Sequence, residues 1–360
     1  MKISALLVNY HTAPLLAGAV ASLLAQPDID GLEIIVADNS ESDEEYARLR
    51  SLLPASVQTV QNARNTGFAA ACNAALTQAS GDAILLLNPD ARLQPGALAR
   101  LAATLFASPR TGAVGPLTFW DDDARFALPP STFPSLDDYL RRAVSRLHPT
   151  LGTRYAQAFR RKALQMWTAT APVRVEALSG GHVLLKRSAI DKAGGLFDER
   201  FFMYWEDSDL MQRLHDAGYR LFVDPVARAV HQYDHHPGKD AMMSRGWPLY
   251  HAKHFQGRLR ARLAEWIERH AAPGPALPPE LQPIAGEPIR LPVPDALQAG
   301  WVLEVSPALN FVPAMGRIGH GPCAEIPAEC WQRFTGGRYF ARLGSPTDAP
   351  ELQRCWSWLN

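Results

Sequence analysis

Neither sign of charge predominates. The 360-residue chain sets 36 lysines and arginines against 36 aspartates and glutamates. It therefore offers no global basic surface to nucleic acid, and a charged ligand must be met by a local patch. Cysteine is scarce: Cys72, Cys323, Cys330 and Cys355 are scattered, and no pair has CxxC spacing. That excludes a cysteine zinc site and suits reduced thiols. No apolar run approaches the ~20 residues of a membrane span. The opening "MKISALLVNYH" ends its apolar run at Asn9-Tyr10-His11, too early for a signal peptide. Also missing is a GxGxxG after the first strand, where "VNYHTAP" stands. That removes the nicotinamide and flavin dinucleotides. The expectation is a cytoplasmic protein able to lie peripherally on the inner face of the cell membrane.

What is present is a regular alternation. Apolar runs at Ile3–Val8, Glu33–Ala37, Val57–Val60, Ala83–Leu87 and Gly112–Gly115 read as strands. Helices are expected from Thr12 to about Leu24, Ser42 to Leu53, Gly67 to Ala79 and onward from Pro95, with Thr12 as a candidate cap. Strands alternating with helices imply a mostly parallel α/β sheet covered on both faces. In such sheets ligands bind beyond the carboxyl ends of the strands. Three strands here end in polar signatures, "NYH", "DNS" and "NPD".

The rhythm fails over residues 117–172, which read as an insertion containing a basic helical stretch, Arg141–Lys162. It returns with a strand pair around Gly180-Gly181, a helix over Asp207–Ala217 and a strand at Arg220–Val223. A second helix is expected over Arg245–Ala271, with Leu249, Phe255, Leu259, Leu263, Trp266 and Ile267 near helical period. The basic residues Lys253, Arg258, Arg260, Arg262 and Arg269 would let it dock on anionic lipid, against the plainer alternative of a packed helix with a solvated basic face. Residues 272–296 are a proline-rich linker, and 297–360 a small module whose aromatics serve its own core.

Four constellations carry chemistry. Asn88 and Asp90 stand at a strand tip, where hard oxygen ligands suit Mg²⁺ or Mn²⁺ held against a diphosphate. Glu206, Asp207 and Asp209 crowd a helix start among Phe201, Phe202, Tyr204 and Trp205. Acids favour helix N-termini for structural reasons, but carboxylates among aromatics also suit a general base. His231 follows a strand and can complete the metal site of Asp90, with His235 and His236 in an exposed loop. Gly67 opens a helix whose free amides form an anion site.

These stretches in this order resemble family 2 glycosyltransferases, inverting enzymes of the GT-A fold, and most nearly the rhamnosyltransferase-like members. The likeness runs through "SALLVNYHTAPLLAGAVASLLAQ", "EIIVADNSESD", "NARNTGFAAACNAAL", "GDAILLLNPDARLQPGAL", "SGGHVLLKRSAIDKAGGLFDERFFMYWEDSDLMQRLHDAGYRLF" and "ARAVHQ". It implies a domain over 1–271, with a Rossmann-like nucleotide-sugar half (1–116), the insertion (117–172) and an acceptor half (173–271), followed by the linker and a small C-terminal extension. It implies that Asn9 and Asp38 grip base and ribose, that Asn65, Gly67 and Phe68 shape the nucleotide pocket, and that Asn88, Gly180 and Gly181 face the donor sugar. Asp90 and His231 would hold the metal, Mg²⁺ or Mn²⁺. Asp207 would be the base, with Glu206 as the runner-up. The implied reaction moves a sugar, rhamnose first, from a dTDP-, UDP- or GDP-sugar to a glycan or lipid-linked acceptor in surface polysaccharide synthesis. Asn88 departs from the strict Asp-x-Asp and loosens the metal claim. The rivals are a non-catalytic sugar-nucleotide binder and a nucleotidyltransferase, the latter short of the Gly-rich basic loop that grips a triphosphate.

Overall fold

Continuous apolar runs build the larger sheet. The structure, a computed structural model, describes residues 1–27, 29, 31–232, 239–271, 281–283, 290–334, 336–347 and 354–359. The elements begin β1 (Ile3–Asn9), α1 (Ala13–Leu24), β2 (Leu32–Asp38), α2 (Asp43–Leu52), β3 (Gln58–Gln61), α3 (Phe68–Leu76), β4 (Ala83–Leu87), β5 (Ala91–Leu93), α4 (Ala97–Phe106) and β6 (Thr111–Phe119). After α5 (Leu136–Ser145) and α6 (Pro149–Trp167) come β7 (Val173–Val175), β8 (His182–Lys186), α7 (Arg187–Lys192), α8 (Glu206–Asp216), β9 (Arg220–His231), α9 (Lys239–His254) and α10 (Leu259–His270). The remainder is β10 (Leu281–Pro283), β11 (Arg290–Pro292), β12 (Trp301–Ser306), β13 (Met315–Gly319), β14 (Cys323–Glu325), α11 (Ala328–Gln332), β15 (Arg338–Gly344) and β16 (Arg354–Leu359).

Packing divides the chain into two compact units: residues 1–117, 131–133 and 170–254, and residues 118–130, 134–169 and 255–360. The first holds the large sheet, in the order β3-β2-β1-β4-β8-β6-β9-β5 with β7 on β9. β3, β2, β1 and β4 run parallel. β8 joins β4 antiparallel, and so does β5 against β9. Every residue of β1 and β4 is buried, which is why these strands read as unbroken apolar runs. α4 shows the complementary helical pattern: Leu98, Leu101 and Leu105 lie buried on one face, each contributing about 1.5–3 kcal/mol of apolar burial.

Several sequence expectations change in detail. Thr12 does not cap α1 with its side chain; Glu45 reaches from α2 to accept the Ala13 amide (3.0 Å). The strands flanking Gly180-Gly181 do not pair with each other: β7 pairs with β9 and β8 with β4. The strand expected at 220–223 continues to His231. The helix expected over 245–271 is two helices, because Gly257 between them takes a left-handed φ of 78°. The Arg141–Lys162 stretch also breaks, at His148-Pro149, which start α6. His235, His236 and most of the proline-rich linker lie outside the described residues.

The second unit carries a five-stranded sheet, β10-β16-β15-β12-β13, and the pair β11–β14. Its aromatics form its core: Trp301, Phe311, Trp331, Phe334, Tyr339, Trp356 and Trp358 are all buried. α6 is tied to this sheet by ions. Arg160 Nε meets Glu304 Oε2 at 2.8 Å, and Arg342 Nη2 meets Glu304 Oε1 at 2.6 Å. α10 packs on α5, where Tyr139 Oη donates to Glu268 (3.0 Å) and the Tyr139 ring stacks on Phe255. Among the described residues, no helix is long and apolar enough to cross a membrane.

Glu304 faces the buried Arg160 guanidinium and the half-buried one of Arg342, so Glu304→Ala leaves a charge stranded out of water. Denaturant unfolding should show a loss of about 3–5 kcal/mol. A loss within 0.5 kcal/mol, the ordinary range for a surface substitution, would mean that the triad holds nothing.

Candidate active site

The carboxyl ends of β1, β2 and β4 carry the polar signatures seen in the sequence. Asn9, last in β1, donates from Nδ2 to Asp38 Oδ1 (2.7 Å) at the end of β2. Its own Oδ1 accepts from the amide and hydroxyl of Thr12. Asp38 Oδ2 accepts from Ser40 (2.9 Å). Both Asn9 and Asp38 are fully buried, so this end of the sheet is preset by its own hydrogen bonds.

Asn39 is a hub that the sequence did not single out. Its Nδ2 donates to the Gly67 carbonyl (3.1 Å) and to Asn65 Oδ1 (3.2 Å), and its Oδ1 accepts from Asn62 (2.8 Å). The Gly67 turn then serves close approach. A Cβ there would fall 2.3 Å from the Phe202 carbonyl oxygen, and φ is +85°. Its first amides are not the open anion site expected: Gly67 N donates to Asn65 Oδ1 (3.0 Å) and Phe68 N to the Phe202 carbonyl (2.7 Å). The turn is thus fastened to the aromatic loop ahead of α8.

At the tip of β4, the pairing of β5 with β9 sets Ala91 opposite His231. Asp90 Oδ1 lies 3.1 Å from His231 Nε2. Burial works to raise the Asp90 carboxyl, but the hydrogen bond and charge of His231 outweigh it, and the net shift is downward. His182, opposite Leu87 in the register, stands edge-on to His231 with ring centroids 5.4 Å apart. Burial, then the His231 charge, pushes His182 down to about 3, so it is neutral. Reasoning from the sequence missed His182, although its place directly after Gly180-Gly181 at a strand start was a signal.

The same tip reaches the base candidates through glycine. The Asn88 backbone N donates to the Gly181 carbonyl (2.8 Å), and a Cβ on Gly181 would lie 2.7 Å from Nδ2 of the Asn88 side chain. Next along, Gly180 N donates to Asp207 Oδ2 (3.2 Å). A short path of contacts therefore joins Asp90 and Asp207, 117 positions apart in sequence.

The three acids of α8 separate by environment. Asp209 is structural: burial would raise it, but bonds from His254, Lys253 and Arg213 hold it down at about 2. Glu206 is 5% exposed, and its Oε2 has no hydrogen-bond partner. Burial, then the charge of Asp207, pushes it well above the usual carboxylate range. Asp207 is raised by burial too, yet Gly180 N and the amide and hydroxyl of Ser208 bond its oxygens and oppose the shift. Both carboxyls are therefore raised, and the hydrogen bonds that oppose the shift are more numerous on Asp207.

The loop before them is strained. Tyr204 and Trp205 have φ of 66° and 73°, unusual for bulky residues. α9 holds them there: Trp205 Nε1 donates to the Met243 carbonyl (2.8 Å), and its ring meets Trp247 (5.0 Å) and Tyr250 (5.2 Å).

With this geometry in view, the comparisons are specific. The family model "Glycosyl transferase family 2" matches residues 4–167. An N-acetylglucosaminyl-diphospho-decaprenol L-rhamnosyltransferase of Mycobacterium tuberculosis is 31% identical over 249 residues, 65% of this chain and 76% of that protein. The chain belongs to glycosyl transferase family 2. Rhamnosyltransferase WbbL of Escherichia coli is 29% identical over 161 residues, 45% of this chain and 56% of that one. Among solved structures, the mannosyltransferase PcManGT of Pyrobaculum calidifontis, in complex with GDP-Man and Mn2+, shares 18% identity over 74% of this chain and 73% of its own, with a TM-score of 0.47. This family 2 glycosyltransferase is rhamnosyltransferase-like, and its large sheet, parallel over β3, β2, β1 and β4, is flanked by helices.

The clamp on Trp205 yields a distal test of the site. Gly246→Ala would set a Cβ 2.5 Å from Trp205 Cδ1. A displacement of that loop should lower kcat by about 10²-fold with little change in donor KM, read by steady-state kinetics. An unchanged kcat would mean that α9 does not position the acids.

Proposed function

We propose that this glycosyltransferase moves a sugar, rhamnose from dTDP-rhamnose before UDP- or GDP-sugars, onto a hydroxyl of a lipid-linked glycan acceptor, with inversion at the anomeric carbon. In this reading it works at the inner face of the cell membrane in surface polysaccharide synthesis. The observation that carries it is the path Asp90–Asn88–Gly181–Gly180–Asp207, which gathers a cation-type ligand and an ionisable base around one glycine loop. The M. tuberculosis relative, named for rhamnosyl transfer to a decaprenol-linked acceptor, supports the choice of sugar and carrier.

The residues fit a divalent cation. A carboxylate oxygen and an imidazole nitrogen converge at 3.1 Å. No cluster of three or more such ligands occurs among the described residues, so diphosphate oxygens and water would complete the shell, as Mg²⁺ and Mn²⁺ tolerate. Asp90 and His231 would hold the ion, which would supply Lewis-acid neutralisation of the departing diphosphate. Asn9 and Asp38 hold the nucleoside, and Asn65, Gly67 and Phe68 wall its pocket. Asn88, Gly180 and Gly181 border the sugar. Asp207 takes the acceptor hydroxyl's proton as its oxygen bonds to the anomeric carbon, and the bond to the nucleoside diphosphate breaks on the opposite side. Glu206, neutral beside it, keeps a second negative charge out of the site.

Asp207→Asn should lower kcat by about 10²–10⁴-fold, and Asp90→Ala by about 10²-fold or more, with unchanged circular dichroism. Near-wild-type turnover of Asp207→Asn would remove the base assignment.

The base must be ionised, and its pKa is raised. kcat should therefore climb with pH through an acidic limb lying above the ordinary carboxylate range and then level off. A limb at the ordinary value would contradict the buried base. In the same assay, excess chelator should abolish transfer and Mn²⁺ or Mg²⁺ restore it; full activity in chelator would end the metal reading.

A further inference from the structure

α10 is packed, yet it turns an apolar face outward. Ala261, Ala264 and Ile267 are buried, on the side where the helix meets α5. At 100° per residue, Leu259, Leu263 and Trp266 fall within an arc of about 60° on the far side. They are 79%, 47% and 53% exposed. His270 continues the stripe and stacks on Trp266, with centroids 5.0 Å apart. Arg258, Arg262 and Arg269, all exposed, run along one flank. Of the neighbouring acids, Glu268 takes Tyr139 and Arg142, Asp137 pairs with Arg260 in an exposed ion pair, and Glu265 is half-buried. A helix that served only as a packed element would show water a polar face here. This one shows two leucines and a tryptophan bordered by arginines, the arrangement of a helix lying in the plane of a lipid headgroup layer.

We infer that the outward face of α10 is a docking surface for an anionic lipid bilayer, with Leu259, Leu263 and Trp266 entering the headgroup–acyl boundary and Arg258, Arg262 and Arg269 meeting lipid phosphates. The charge complementarity of the arginine flank selects a lipid over a neutral apolar partner. The lipid occupant also rests on the lipid-linked-acceptor reading given above. None of these six residues belongs to the candidate active site.

The test is flotation of the full chain with vesicles of phosphatidylcholine alone or with phosphatidylglycerol. Wild type should float with the anionic vesicles and at least tenfold less with the neutral ones. The Leu259→Ser/Leu263→Ser/Trp266→Ser variant should lose binding at least tenfold, with an unchanged melting temperature and unchanged transfer to a detergent-solubilised acceptor. Arg258→Gln/Arg262→Gln/Arg269→Gln should erase the preference for anionic vesicles. Should the serine variant misfold, Trp266→Phe keeps an apolar side chain: brominated acyl chains should quench wild-type fluorescence, and this substitution should remove most of that quenching. Wild type that fails to float, or variants that float equally, would overturn the surface. So would a wild-type dimer that the serine variant dissociates, since a second copy would then cover the stripe. If binding fails while transfer to a lipid-linked acceptor in detergent persists, the docking surface falls and the acceptor reading stands. If binding holds without such transfer, the acceptor reading falls instead.

Discussion

One backbone hydrogen bond, from Asn88 to Gly181, links two acidic segments far apart in the sequence. It joins the tip of β4, which carries Asp90, to the loop whose next amide, that of Gly180, bonds Asp207. Gly181 also packs closely on the Asn88 side chain, whose Nδ2 a Cβ at 181 would approach to 2.7 Å. The antiparallel pairing of β8 with β4 sets the register behind it. Each strand is buried and therefore strongly held in register. The rigidity of the core is transmitted to a site that itself consists of loops.

The second feature is an asymmetry between adjacent carboxyls. Glu206 and Asp207 share a buried helix start that favours negative charge, yet Asp207 receives bonds from Gly180 and Ser208 while Glu206 has one oxygen, Oε2, without a partner. Two ionised carboxylates so close would repel in a low-dielectric setting, and Glu206, whose Oε2 finds no partner, is pushed well above the usual carboxylate range, while hydrogen bonds to Asp207 oppose its rise. Asp209, one turn on, is drawn the other way by three cationic or imidazole partners and becomes the rivet between α8 and α9. Three acids within four positions thus sit in three different environments. The difference lies in contacts supplied by residues 180, 208, 213, 253 and 254.

That explains what was legible. β1, β2 and β4 were readable because strands buried on both faces are continuous apolar runs, and their polar ends announced a binding edge. Asp90 and His231 were readable as a pair because each follows a strand. The hub role of Asn39, the neutral His182 and the clamp on Trp205 were not, since each depends on contacts between distant segments. The amides at Gly67 misled for the same reason: a helix start is open or closed according to what lies against it, here the Phe202 carbonyl. The single helix expected over 245–271 failed locally. Its apolar period runs through Gln256-Gly257, and the period alone does not register the left-handed turn at the glycine.

The second unit shows the same limit on a larger scale. Arg160 and Glu304 are 144 positions apart, and neither has a local feature that predicts the other. A buried triad of two arginines and one glutamate is not an economical route to stability, because desolvation offsets most of the attraction. Its consequence is selectivity. The Arg160 guanidinium, bonded to one carboxylate and to the Ser345 carbonyl, gives the contact of α6 with the sheet a defined direction. The aromatic cluster of Trp331, Phe334, Tyr339 and Trp358 supplies the burial that the triad does not. The residues that read as an insertion are, by packing, a structural member of the unit formed with the last third of the chain. A truncation placed near residue 271 would strip α6 of the sheet it is bonded to and leave Arg160 buried or exposed without its carboxylate.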